Sequence, residues 1–140
     1  MGYYIDQVGQ NFFVPANKIN DMVRAIHRLA FEEDKMGGAT FSSGETTRHY
    51  SWVDMNFVNL TDVKKVFNCW RWDIYLDDEG NIDSIFFNCE KLGDDTVFLN
   101  AIAPFVKDGS YIEMSGEEGA MWRWVFNNGV CEEKAPQIIW

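Results

Sequence analysis

The chain has little with which to hold a metal ion or a nucleic-acid backbone. His27 and His49 are its only histidines, and its three cysteines, Cys69, Cys89 and Cys131, form no CxxC pair. Neither histidine has cysteine or carboxylate neighbours at ligand spacing, so no metal site is expected. An odd, widely spaced set of thiols argues against a disulfide framework and fits reduced cysteines in a cytoplasmic protein. Basic residues are also scarce: 12 Lys and Arg against 22 Asp and Glu, a formal net charge of −10. Without a basic cluster, binding of duplex nucleic acid through counterion release is not expected. No apolar run approaches the ~18 residues of a membrane span. The N-terminal MGYYIDQVGQ lacks the basic start and apolar stretch of a secretory signal.

What the chain does have is apolar and aromatic: 46% hydrophobic residues, with six tryptophans and eleven phenylalanines. At 140 residues it fits one domain, 1–140, able to bury roughly two-thirds of its unfolded surface. The periodicity predicts an α+β fold: a mainly antiparallel sheet of about six or seven strands, with about three helices packed on one face.

Residues 3–15 read as a strand, bent or bulged at Gly9 and closed by Pro15. Ile19, Met22, Val23, Ile26 and Leu29 then recur at helical spacing, with Asn17 the expected N-cap. Residues 34–49, rich in Gly, Ser and Thr, are expected to form a long mobile loop. Alternation over 50–59 predicts a strand, followed by a short helix capped by Thr61 and ending near Trp70. WDIYLDDEGNIDSIFF reads as a hairpin about Asp78-Glu79-Gly80, pairing Leu76 with Ile82, Ile74 with Ser84 and Trp72 with Phe86. A helix ending near Pro104 follows, then a second hairpin about Glu117-Glu118-Gly119 and a last strand from Val130.

The triplet WRW occurs twice, at 70–72 and 122–124. In the second copy, strand alternation directs Trp122, Trp124 and Phe126 to one face and Met121, Arg123 and Val125 to the other. The hairpin register opposes Glu113 to Arg123, Tyr111 to Val125 and Ser115 to Met121. The tryptophan face is the expected core; the strip of Tyr111, Glu113, Met121 and Arg123 is the candidate contact surface.

No catalytic motif and no cofactor-binding motif is present. LDDEGNIDS has acidic residues about a glycine, but placing Gly80 sixth in a calcium loop puts Tyr75 first and Phe86 twelfth, where carboxylates are needed. Cys89 and Cys131 have no sequence neighbour that would lower a thiol pKa.

GSYIEMSGEEGAMWRWVF, within residues 90–129, together with the opening MGYYID and NFFVPANKI, is similar to a group of small, acidic, uncharacterised proteins of bacteriophages, other mobile elements and some bacteria. The resemblance implies a compact α+β protein in a phage-type setting, and no activity.

Acidity without catalytic chemistry points to a non-enzymatic binding protein of phage-accessory or anti-defence type, its partner a protein with a basic surface. The acidic turns Asp77, Asp78, Glu79 and Glu117, Glu118 join the strip as candidate partner-binding residues, with Glu132 and Glu133 as a third acidic pair. A pocket stacking a small ligand or nucleotide between aromatics and arginine, lidded by residues 36–50, is the alternative. The apolar PQIIW at 136–140 leaves a homo-oligomer open.

Overall fold

A computed structural model describes residues 4–40 and 46–140 of the chain. The fold is α+β in a single small domain, with antiparallel pairing throughout. Strands β1 (Ile5–Asn11), β6 (Ser110–Gly116), β7 (Met121–Asn127) and β8 (Val130–Lys134) form a four-stranded sheet in that order. Strands β4 (Trp72–Leu76) and β5 (Ile82–Phe87) form a separate pair, as do β2 (Gly37–Thr40) and β3 (Thr46–His49). The α-helices among the described residues are α1 (Ile19–Arg28), α2 (Val63–Cys69) and α3 (Asp95–Ile102).

The expected single sheet of six or seven strands is thus divided. The register of β1 shifts between Gln7 and Gly9, which is the bulge expected at the glycine. Beside it, side-chain amides take the place of a backbone ladder. Gln7 Nε2 donates to Ile85 O at 2.8 Å, Phe87 N–H donates to Gln7 Oε1 at 2.7 Å, and Ile85 N–H donates to Gln10 Oε1 at 3.3 Å. These bonds satisfy the outer half of the β5 edge, while at its start Ile82 pairs directly with Val14 through two backbone bonds of 2.9 Å.

Several local expectations are corrected. Ala16–Lys18 form a 3-10 turn, so α1 starts later than foreseen and Asn17 does not cap it. Residues 50–59 hold a turn and a 3-10 helix over Met55–Asn59 instead of a strand, with Asp54 accepting from Asn56 N–H. Asp62, one residue past Thr61, caps α2 by accepting from the N–H groups of Lys64 and Lys65. Within 34–49, expected as a long mobile loop, β2 and β3 pair from Gly37↔His49 to Thr40↔Thr46; residues 41–45 lie outside the described residues.

The β4–β5 hairpin starts as expected at Leu76↔Ile82, then shifts by one residue to pair Tyr75 with Ser84, Ile74 with Ile85 and Trp72 with Phe87. The cause is hydrophobic: strict alternation would turn Ile85 away from the core, and the bulge lets both Ile82 and Ile85 point inward, where both are buried. The β6–β7 hairpin has no such conflict and keeps the expected register throughout.

Ile112, Met114, Trp124 and Phe126 form the inner face of the large sheet and are all buried. Trp72 lies edge-on to Trp124 with centroids 6.1 Å apart, and Trp70 stacks on Phe98 at 5.1 Å. Three of the four tryptophans of the two WRW triplets are fully buried core; Trp122 is partly buried against it. The two triplets occupy different local structure, however. Trp70 ends a helix and Trp72 begins a strand, with the intervening Arg71 in the left-handed region at φ 72°.

Candidate functional site

The outer face of the four-stranded sheet follows from the β6–β7 register. Residues opposite one another share a face, so Tyr111, Glu113 and Ser115 lie with Val125, Arg123 and Met121, and β8 adds Glu132 and Lys134. Arg123 Nε donates to Glu113 Oε1 at 2.7 Å, and its guanidinium stands 4.1 Å above the Tyr111 ring. Half of the Arg123 side chain is exposed, so this pair contributes at most about 1 kcal/mol. What it does is hold a flat cation–aromatic platform in place. An open groove of about 630 Å³ beside it is lined by Met121, Trp122, Arg123, Val125 and the chain at Ala135–Gln137. Met121 is exposed.

The acidic turns do not converge on one spot. Glu117 lies at the start of β1, where its Oε1 accepts from Tyr4 N–H at 2.9 Å, and Glu118 is left-handed at φ 62°. The Asp77–Glu79 turn lies beyond the other end of β1, with Gly80 beside Ala16. A seven-residue strand separates its ends by roughly 20 Å. Asp77 is committed to its own turn. Asn81 Nδ2 donates to its carboxylate, as do the N–H groups of Asn81 and Glu79. The Asn81 side chain above all, joined by these backbone donors, holds the Asp77 carboxyl below its usual range against the opposing effect of desolvation. Asp78 and Glu79 are exposed. Of the third acidic pair, Glu132 lies on the outer face opposite Val125, whereas Glu133 is opposite Trp124.

The structure also assembles a cluster that the sequence does not reveal. Arg71, only 9% exposed, pairs through Nη2 with Asp95 Oδ2 at 2.7 Å; Asp95 is 1% exposed. Arg71 Nη1 donates to Lys91 O at 2.7 Å, and its guanidinium lies 5.2 Å from the Phe87 ring. Burial raises the Asp95 carboxyl above its usual range, although Arg71 and the Gly93 N–H counteract it. Gly93 is required here because a Cβ would stand 2.8 Å from Arg71 Nη2 and 2.9 Å from Ser51 O. Trp52, exposed and left-handed at φ 65°, and Tyr4 place their rings 5.9 and 5.1 Å from Lys91 Nζ. Cys89 is exposed beside this cluster. The one sequence signal is the unusual concentration of glycine and paired acid in LGDD at 92–95; its partner, Arg71, is 24 residues from Asp95.

Among the described residues no group of His, Cys, Asp and Glu is arranged to hold a metal ion, and no helix is long and apolar enough to cross a membrane. His27 Nε2–H donates to Leu60 O at 2.7 Å and so joins α1 to the chain before α2. Burial, then the nearby Glu133 and Glu132, pushes the Cys131 thiol up to about 12. Comparison with protein-family models, with curated proteins and with solved structures finds no match for the chain.

Proposed function

We propose that this chain is a non-enzymatic binding protein that presents the outer face of β6 and β7 to a protein partner with a basic surface. The observation that carries this reading is the open platform of Tyr111, Arg123 and Met121, with Glu113 beneath it and the acidic turn of Glu117 and Glu118 at the end of the same hairpin. Aromatic and arginine side chains anchor protein contacts well because they offer large area at small conformational cost. The net charge of −10 speeds encounter with a basic partner. The resemblance to phage and mobile-element proteins makes an accessory or anti-defence role the natural setting.

Arg123 speaks against the small-ligand alternative. Its guanidinium is already stacked on Tyr111 and paired with Glu113, so clamping an anionic ligand would first require breaking those contacts. The test is affinity capture from host lysate with the intact chain, Tyr111→Ala/Met121→Ala, and Glu117→Lys/Glu118→Lys. The platform variant is expected to lose the captured protein, and the charge-reversed variant to capture it at least severalfold less at low salt. A partner retained equally by all three would refute the reading; a nucleotide-induced thermal shift would replace it with the small-ligand alternative.

A further inference from the structure

The four-stranded sheet has two edges, and the chain covers one of them. Along β1, Ile5 N–H donates to Glu90 O at 2.7 Å, and Gln7 joins Ile85 and Phe87 through its side-chain amide. At the other edge the sheet ends with β8. Asn128 and Gly129 turn β7 into β8 with φ of 54° and 76°, and Asn127 pairs with Val130 across them. A two-residue turn of this kind closes on a hydrogen-bonded pair, and such pairs then alternate along the strands. Val130, Glu132 and Lys134 therefore direct their backbone groups to β7, while those of Cys131 and Glu133 point out of the sheet. The side chains of Val130, Glu132, Glu133 and Lys134 are exposed. Lys134 Nζ stands 3.7 Å from Glu132 Oε2, too far for a hydrogen bond, and leaves Glu132 available.

We infer that β8 takes an extended, basic segment of a partner protein as a further strand of the sheet. This rests on the reading of the chain as a binder of basic proteins and names the element that is recognised. Charge decides the occupant. Charged side chains on an edge strand oppose pairing with an edge of like sign. A second copy of this chain is such an edge: the antiparallel register that pairs all five residues of β8 with a second β8 sets Glu132 against Glu132. A basic strand meets the opposite situation. Glu132 lies on the outer face, opposite Val125, and Glu133 on the inner face, opposite Trp124. Two adjacent basic residues of an antiparallel segment would each stand across from one of these carboxylates. Beside Glu133, Leu92, Trp122 and Ala135 line an open groove of about 380 Å³, an apolar wall for a lysine stem. A neutral residue fits opposite Lys134, and an apolar one opposite Val130. The segment is thus of the type Thr-Lys-Arg-Thr-Val, read from Lys134 back to Val130. Its lysine and second threonine hydrogen-bond to Glu133 and Cys131 through the backbone. The added strand extends the outer face that carries Tyr111 and Arg123.

The test titrates the full chain against a fluorescent peptide with Thr-Lys-Arg-Thr-Val at its centre, at low salt, and reads anisotropy. Replacing both basic residues of the peptide by glutamate should weaken binding at least about tenfold. Methylating the backbone nitrogens of its lysine and second threonine removes the donors that reach β8 without changing charge, and should weaken binding about tenfold as well. Methylating those of the arginine and valine, which point away from β8, should leave it within about threefold. Glu132→Lys/Glu133→Lys should invert the preference and take the glutamate peptide over the basic one. No binding of the basic peptide would overturn the edge assignment. Equal effects of the two methylation patterns would overturn it too, reducing the contact to charge attraction. Dimerisation of the chain that excludes the peptide would put a second copy in its place. Tyr111→Ala/Met121→Ala should bind the peptide as the intact chain does, which keeps the two readings apart. A chain that ignores the peptide yet captures a protein through Tyr111 and Met121 loses the edge and keeps the platform; the reverse pattern keeps the edge alone.

Discussion

Arg71 Nη2 and Asp95 Oδ2 stand 2.7 Å apart in the interior, and Gly93 leaves just enough room for the guanidinium to reach the carboxylate. Such a pair contributes little net stability against an apolar replacement, but removing one partner leaves an uncompensated buried charge. Asp95→Leu is therefore expected to destabilise the protein by about 3–5 kcal/mol. Arg71→Met/Asp95→Leu together should cost clearly less than the single change. Urea unfolding of the three chains checks this; a double variant as damaged as the single one would contradict it.

Trp52 and Arg71 are both left-handed residues next to Gly93, with φ of 65° and 72°. They are expected to respond differently to glycine. Trp52 is largely exposed, so Trp52→Gly relieves backbone strain at little packing cost, and the change should be within about 1 kcal/mol. Arg71→Gly relieves the same strain but strands Asp95, and should cost about 3 kcal/mol or more. Denaturation midpoints at constant slope separate the two cases.

The second WRW triplet predicts a steep contrast between adjacent positions. Trp124 is 1% exposed and in contact with Trp72 and Trp122, so Trp124→Ala should cost about 3–5 kcal/mol. Arg123→Ala removes a half-exposed pair with Glu113 and should cost no more than about 1 kcal/mol. Equal losses in thermal unfolding would mean that the face assignment is wrong.

Alkaline stability should depend on Tyr50. Its buried hydroxyl donates to Leu29 O at 2.7 Å. Burial first, then the charges of Glu32, Asp94 and Asp34, raises it to about 12. Because the folded value lies above the unfolded one near 10, its contribution is complete below about pH 10 and is lost as pH rises toward about 12. Tyr50→Phe should cost about 1 kcal/mol near neutrality and flatten the fall in stability over that window, as measured by urea unfolding at successive pH values.

Local patterning made the β6–β7 hairpin legible down to its register. Its apolar and polar residues alternate without conflict, and a glycine marks the turn. The same reasoning missed the β4–β5 register because Ile82 and Ile85 are three apart and both need burial, a requirement met by a bulge. It misread residues 50–59 because Asp54 caps a 3-10 turn that alternation does not foresee. In the candidate surface, Tyr111, Glu113, Met121 and Arg123 were legible as one strip, and the structure brings all four onto one face. The acidic turns were legible singly, while their separation along β1 was not.

Side-chain alternation and turn residues are local quantities, so the sequence by itself determined an α+β chain, the core identity of Trp124 and Phe126, and the outward direction of Arg123. The division of the strands and the burial of Arg71 beside Asp95 arise from contacts between distant segments. Gln7 meets Ile85 across 78 residues and Arg71 meets Asp95 across 24. No local periodicity encodes those meetings: they depend on which surfaces remain unsatisfied once the helices and hairpins have packed.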